Sequence, residues 1–156
     1  MIAAYIGLGA NLGDRAGNIQ SAIVHLAETE NLDVCRLSSV MESAAVGGPA
    51  RSPPFLNAVA KVETTLSARA VLNRLLQIEQ DMGRVRRDRW EPRIIDLDLL
   101  LYGRQVLNEA SLTIPHPLLH ERLFVLKPLA EIAPDLVHPT LGKTIRTLLD
   151  ELERRP

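Results

Sequence analysis

Six segments of this chain carry a regular apolar period, and their order limits the folds open to it. Ile2–Leu8 is a short apolar run closed by Gly7, Gly9 and Gly13, which predicts a buried strand and a turn. Asp14 can cap a helix in which Ile19, Ala22, Ile23, Leu26 and Ala27 recur at helical spacing. Leu32–Met41 alternates as a strand does. So does Phe55–Thr64, with Phe55, Asn57, Val59, Lys61 and Glu63 on one face and the intervening residues on the other. Ser67 can cap a second helix, whose stripe Ala70, Val71, Arg74, Leu75, Ile78 and Met82 ends at Gly83. Ile94–Tyr102 reads as a fourth strand, apolar except at Asp96 and Asp98.

Strand, helix, strand, strand, helix, strand predicts an α+β chain with a ferredoxin-like βαββαβ core. Pro115, Pro117, Pro128, Pro134 and Pro139 break up the tail, leaving two extra short helices around Val125–Ile132 and Thr144–Leu152. At 156 residues, 1–156 is expected to be a single domain. The formal net charge of −1 argues against a surface that coats nucleic acid or membrane, and two Tyr, two Phe and one Trp are too few and too dispersed for a stacking platform. Cys35, the only cysteine, excludes an internal disulfide and reads as a small buried hydrophobe. The first residues lack a basic, apolar leader, so a soluble cytoplasmic protein is expected.

Gly7 and Gly9 invite a dinucleotide fingerprint, but Gly13 falls one position too late and the element order is wrong for that sheet, leaving a structural turn. Asp96 and Asp98 are more informative. They project from one face of a strand whose Ile95, Leu97 and Leu99 pack on the other. Two adjacent carboxylates repel and are costly to desolvate, so a cation belongs beside them. Mg²⁺ fits, and so does pairing with nearby arginines. Spacing alone leaves both open. Among the 18 basic residues only Lys61, Lys127 and Lys143 are lysine, and Arg84, Arg86, Arg87, Arg89 and Arg93 crowd the loop before the aspartates. The planar guanidinium fork grips phosphate bidentately, so arginine loop and acid pair together suggest a phosphoryl-transfer site without a Walker loop. Trp90 could anchor that loop or cover a base. Phe55 and Asn57 set an aromatic plate beside an amide able to read a flat heterocycle, or an ordinary core beside a capped polar group. His116 and His120 have helical metal spacing, but Pro115 and Pro117 disfavour a helix there.

The strings Tyr5-Ile-Gly-Leu-Gly-Ala-Asn-Leu-Gly-Asp14, Phe55-Leu-Asn-Ala-Val59, Gly83-Arg-Val-Arg86, Arg89-Trp-Glu-Pro-Arg93, Ile95-Asp-Leu-Asp-Leu99, Pro115-His-Pro117 and Pro128-Leu-Ala-Glu-Ile-Ala-Pro134 occur in that order across most of the chain. Together they resemble the 6-hydroxymethyl-7,8-dihydropterin pyrophosphokinase family. The resemblance implies a ferredoxin-like core, transfer of pyrophosphate from ATP to the pterin hydroxymethyl group with release of AMP, and two Mg²⁺ ions. It implies that Asp96 and Asp98 hold the metals and that Arg84 and Arg93 clamp phosphate. Glu79, Arg86, Trp90, Leu99, Thr113, His116 and Arg122 would surround ATP. The pterin would lie between Phe55 and Phe124, read by Asn57, with backbone contacts from Ser43, Ala44 and Val46. No nucleic acid or membrane partner is implied, and a monomer is expected.

The chain departs from the family's usual pattern at Glu91 in place of Gly, Ala10 in place of Ser, Met41 where an aromatic is frequent, and Pro117 where Tyr can follow the His. None of these removes an expected metal ligand or clamp. A non-catalytic ferredoxin-like binding module is the rival reading, but it has no use for paired carboxylates beside an arginine cluster.

Overall fold

The computed structural model describes residues 1–44, 54–83 and 94–155, so most of the two loops read at Ser43–Pro54 and Gly83–Arg93 lies outside them. Strand β1 (Ile2–Ala10) runs antiparallel between β4 (Phe55–Thr64) and β5 (Asp96–Tyr102). β2 (Leu32–Leu37) and β3 (Met41–Ser43) share the far side of β4. Helix α1 (Arg15–Ala27) carries the chain from β1 to β2, and α2 (Ala68–Asp81) carries it from β4 to β5, each crossing one intervening strand. This is the α+β, ferredoxin-like arrangement expected from the periodicities.

Both helices start where a side chain satisfies an otherwise orphaned amide. The Asp14 carboxylate accepts the Gly17 N–H at 3.0 Å and the Ser67 hydroxyl accepts that of Ala70 at 3.1 Å. Such caps stabilise a helix by about 1 kcal/mol each. Strand alternation then divides the sheet between two cores. Ile6 and Leu8, Ala60 and Val62, and Leu97 and Leu99 meet Ile19, Leu26, Val71, Leu75 and Ile78 of α1 and α2 on one face. On the other face Tyr5, Val59, Leu100 and Leu101 meet α3 (Leu123–Ile132) and α4 (Ile145–Glu153). The tail therefore supplies the two short helices expected of it. It also contains a 3₁₀ turn at Leu119–Glu121 and a hairpin of β6 (Leu107–Glu109) with β7 (Leu112–Ile114).

Three expectations need correction. Gly7 and Gly9 are not in a turn: β1 continues through both to Ala10 and is hydrogen-bonded on both sides. The strand read as Leu32–Met41 is broken, because Ser38 bonds Val59 twice, giving its own N–H to the carbonyl at 2.9 Å and taking the Val59 N–H on its hydroxyl at 2.8 Å. Cys35 is exposed rather than buried. The register passes from Val34 opposite Val62 to Arg36 opposite Lys61, which leaves Cys35 as the extra residue of a bulge.

Candidate functional site

α3 and α4 cover only part of the second sheet face, and the uncovered part floors a cavity of about 830 Å³. The register fixes what stands on that floor. Gly9 is opposite Asn57 on β4 and opposite Asp96 on β5, while Gly7 is opposite Val59 and Asp98. Side chains directly opposite on neighbouring strands share a face, so Asn57, Gly9 and Asp96 form one row. Two strand spacings separate the amide from the carboxylate, roughly 10 Å. Between them the floor is bare backbone: a β-carbon on Gly9 would stand 3.3 Å from Asn57 Oδ1 and 3.7 Å from Phe55 Cδ1.

The amide end is built from β3 and β4. Asn57 is 6% exposed and its Nδ2 donates to Ser43 Oγ at 2.7 Å. Phe55 and Ala44 line the same cavity, as does Phe124 from the first turn of α3, with Arg122 positioned 5.6 Å from its ring centroid. Two aromatic side chains and a buried amide in one cavity suit a flat heterocycle.

The carboxylate end is built on β5. Asp96 is half-buried and Asp98 exposed, both on the cavity side. Glu79 of α2, only 3% exposed, accepts the Leu97 N–H at 3.0 Å and so fastens the residue that lies between the two aspartates. No group of three or more acidic, His or Cys side chains suited to a metal occurs among the described residues. Two carboxylates on one strand suit a hard cation that completes its shell with water and phosphate oxygens. The donor set therefore fits Mg²⁺.

His116 follows β7, outside the cavity lining. Its Nδ1 accepts the Leu118 N–H at 3.2 Å, so the neutral ring carries its proton on Nε2. Burial pushes its pKa below the ordinary histidine value, the Asp98 carboxylate opposes that shift and Arg122 adds to it. His120 is turned instead toward His138, ring edge to face with centroids 6.1 Å apart.

Of the residues singled out in the sequence, Ser43, Ala44, Phe55, Asn57, Glu79, Asp96, Asp98, Arg122 and Phe124 surround this one cavity. Leu99 is buried in the core under α1 and α2, and Thr113 is exposed on β7. Val46, Arg84, Arg86, Trp90 and Arg93 lie outside the described residues. Gly7, Gly9, Leu72, Leu76, Glu121 and Leu123 also line the cavity and were not anticipated as site residues. For the glycines a signal was present: glycine within a strand marks a place where something approaches the backbone closely.

The model of the family described as 7,8-dihydro-6-hydroxymethylpterin-pyrophosphokinase (HPPK) matches residues 5–134. A Synechocystis protein called 2-amino-4-hydroxy-6-hydroxymethyldihydropteridine pyrophosphokinase is 46% identical over 150 residues, covering 96% of this chain and 76% of its own length. Proteins of the same name from Haemophilus influenzae (45% over 139 residues, 89% of this chain and 86% of theirs) and Methylorubrum extorquens (42% over 153 residues, 98% and 95%) are similar. Among solved structures, Plasmodium falciparum HPPK-DHPS with pteroate superposes with a TM-score of 0.76 over 96% of this chain. This chain spans 44% of that one, and at 16% identity the likeness speaks for the fold alone. By the family model and by relatives matched over 76–95% of their own length, the chain belongs to the 7,8-dihydro-6-hydroxymethylpterin-pyrophosphokinase family.

Proposed function

We propose that this protein transfers pyrophosphate from ATP to the hydroxymethyl oxygen of 6-hydroxymethyl-7,8-dihydropterin, releasing AMP, as an ATP-dependent diphosphotransferase of folate biosynthesis. The names borne by its relatives support the reaction. The observation that supports it in this chain is the row Asn57, Gly9, Asp96, which sets an amide and a carboxylate about 10 Å apart over a bare floor.

In this reading the pterin lies between Phe55 and Phe124 with its polar edge toward Asn57, and Ser43, Ala44 and Val46 border it. Its hydroxymethyl group then points along the row toward Asp96 and Asp98. The hydroxymethyl oxygen forms a bond to the β-phosphorus as the bond from that phosphorus to the α,β-bridging oxygen breaks, and AMP leaves with the electron pair. Two Mg²⁺ ions, when held by Asp96 and Asp98, would offset the triphosphate charge and align its oxygens. Arg84 and Arg93 clamp the phosphates by bidentate hydrogen bonds, while Glu79, Arg86, Trp90, Thr113, His116 and Arg122 frame the nucleotide, which Leu99, its side chain in the core, can meet only through its backbone. His116, kept neutral with Nε2–H outward, donates a hydrogen bond without adding charge. Positioning and charge complementarity carry most of such a transfer, so no general base is assigned. We further propose that the chain acts as a single domain and a monomer, in the cytoplasm and without nucleic acid. No helix among the described residues is long and apolar enough to cross a membrane.

The test is release of AMP from ATP in the presence of Mg²⁺ and the hydroxymethyl pterin, repeated on Asp98→Ala. The exposed carboxylate contributes little to the fold, so the variant should melt like the parent yet lose activity by about a hundredfold or more. A parent that binds pterin and makes no AMP would favour the non-catalytic binding module instead.

A further inference from the structure

Arg15 occupies the first position of α1, where unpaired helix amides create positive potential and a cation is disfavoured. The Asp14 carboxylate caps that end by taking the Gly17 N–H, and Arg15 is not drawn back to it. The guanidinium reaches away from the helix to the sheet. Its Nη1 donates to the Pro54 carbonyl at 2.8 Å and lies 3.6 Å from Glu42 Oε2. These two partners belong to different strands. Glu42 precedes Ser43 near the end of β3, Pro54 precedes Phe55 at the start of β4, and Ser43 is paired with Phe55 in the register. One side chain therefore clasps the end of β3 to the residue that precedes β4.

That clasp holds the hydroxyl on which an amide rests. Asn57 Nδ2 donates to Ser43 Oγ at 2.7 Å, while Oδ1 is the atom beside the Gly9 floor. With the amide so turned, an oxygen, not an NH₂ group, faces the bare backbone. A ring edge bearing N–H donors is accepted there, and one bearing only acceptors meets a lone pair.

We propose that Arg15 is a positioning residue for the pterin subsite: by holding Ser43 and Phe55 in register it keeps the Asn57 amide in place against the edge of the heterocycle. The proposal rests on the pyrophosphokinase reading for the identity of that heterocycle. It is tested with Arg15→Met, which keeps an apolar stem and removes the donors. Affinity for the hydroxymethyl pterin is measured by fluorescence titration with Mg²⁺ and a non-hydrolysable ATP analogue, alongside KM for both substrates, kcat and the melting temperature. Pterin binding should weaken by about tenfold, the scale of one charge-assisted hydrogen bond, while KM for ATP and kcat at saturating pterin stay within about twofold. Arg15→Met combined with Ser43→Ala should cost little more than the larger single effect, because the two act through the same amide. Equal weakening toward both substrates, unchanged pterin affinity, or fully additive losses would overturn the proposal. If the parent binds pterin without releasing AMP and Arg15→Met still weakens that binding, the reaction assignment fails and the positioning role stands.

Discussion

Replacing Gly9 by alanine separates binding from folding more cleanly than any change to a charged site residue. Gly9 does not have a positive φ, so its backbone accepts a β-carbon. Adding one narrows the choices of the unfolded chain and should stabilise by about 0.4–1 kcal/mol. Against this, the methyl would stand 3.3 Å from Asn57 Oδ1, so that amide must yield by a few tenths of an ångström. The two effects nearly cancel, and a residual of about 1 kcal/mol would move the melting temperature of a domain this size by only about 2–4 °C. Substrate feels the change differently. A ring resting on the glycine floor must rise by about 1.5 Å, the length of the new carbon–carbon bond. Overpacking of this kind costs roughly 1–3 kcal/mol, and each 1.4 kcal/mol is tenfold in affinity. Titration of the pterin should therefore show weakening between about fivefold and a hundredfold, with a melting curve close to the parent's. Unchanged pterin affinity would refute the placement of the ring over Gly9; a collapse of stability would refute the claim that the floor is open.

Two more outcomes follow from buried groups. Glu79→Ala strands the Leu97 N–H that now donates to the carboxylate at 3.0 Å, so it should lose about 1–3 kcal/mol in urea or thermal unfolding, whereas Glu79→Gln keeps an acceptor oxygen and should lose less; equal losses would show that the bond contributes nothing. Burial and the facing His120 hold the His138 pKa below its ordinary value, and its Nδ1 accepts the Leu141 N–H at 3.1 Å, a bond that protonation would break. The unfolded chain therefore binds a proton that the folded chain resists, so this stability is present above about pH 6.5 and declines as the pH falls. His138→Asn retains a comparable acceptor and should flatten the dependence of unfolding free energy on pH between about 7.5 and 5; parallel slopes for parent and variant would sink the assignment.

Much of this architecture is legible in the residues because local and long-range signals agree. Phe55–Thr64 alternates over its whole length, sits inside the sheet, and is found as a strand with the boundaries its pattern implies. Asp14 and Ser67 announce their helices by the chemistry of the cap. Failures occur where a tertiary contact overrides the local period. Nothing in Leu32–Met41 reveals that Ser38 will replace a ladder partner with its hydroxyl, or that Arg36 will cross to the Ile132 carbonyl at 2.9 Å while Cys35 bulges outward. At the site, Asp96, Asp98, Phe55 and Asn57 stand out by type and spacing. Gly7 and Gly9 signal only that something approaches the backbone closely, because their contribution is an absence of side chain whose value depends on what two other strands place beside it.

Strand β1 also bears on how such a protein can change over time. At Tyr5 its second-face side chain is sealed beneath the tail helices, whereas two and four residues later the same face is open to the cavity. A single strand thus passes from load carried by the fold to surface offered to a ligand within about 14 Å of its length. Substitutions toward its beginning are screened by whether the chain survives, and those toward its end by what the chain can hold. Variation in substrate range can accumulate at one end of β1 without drawing on the stability set at the other.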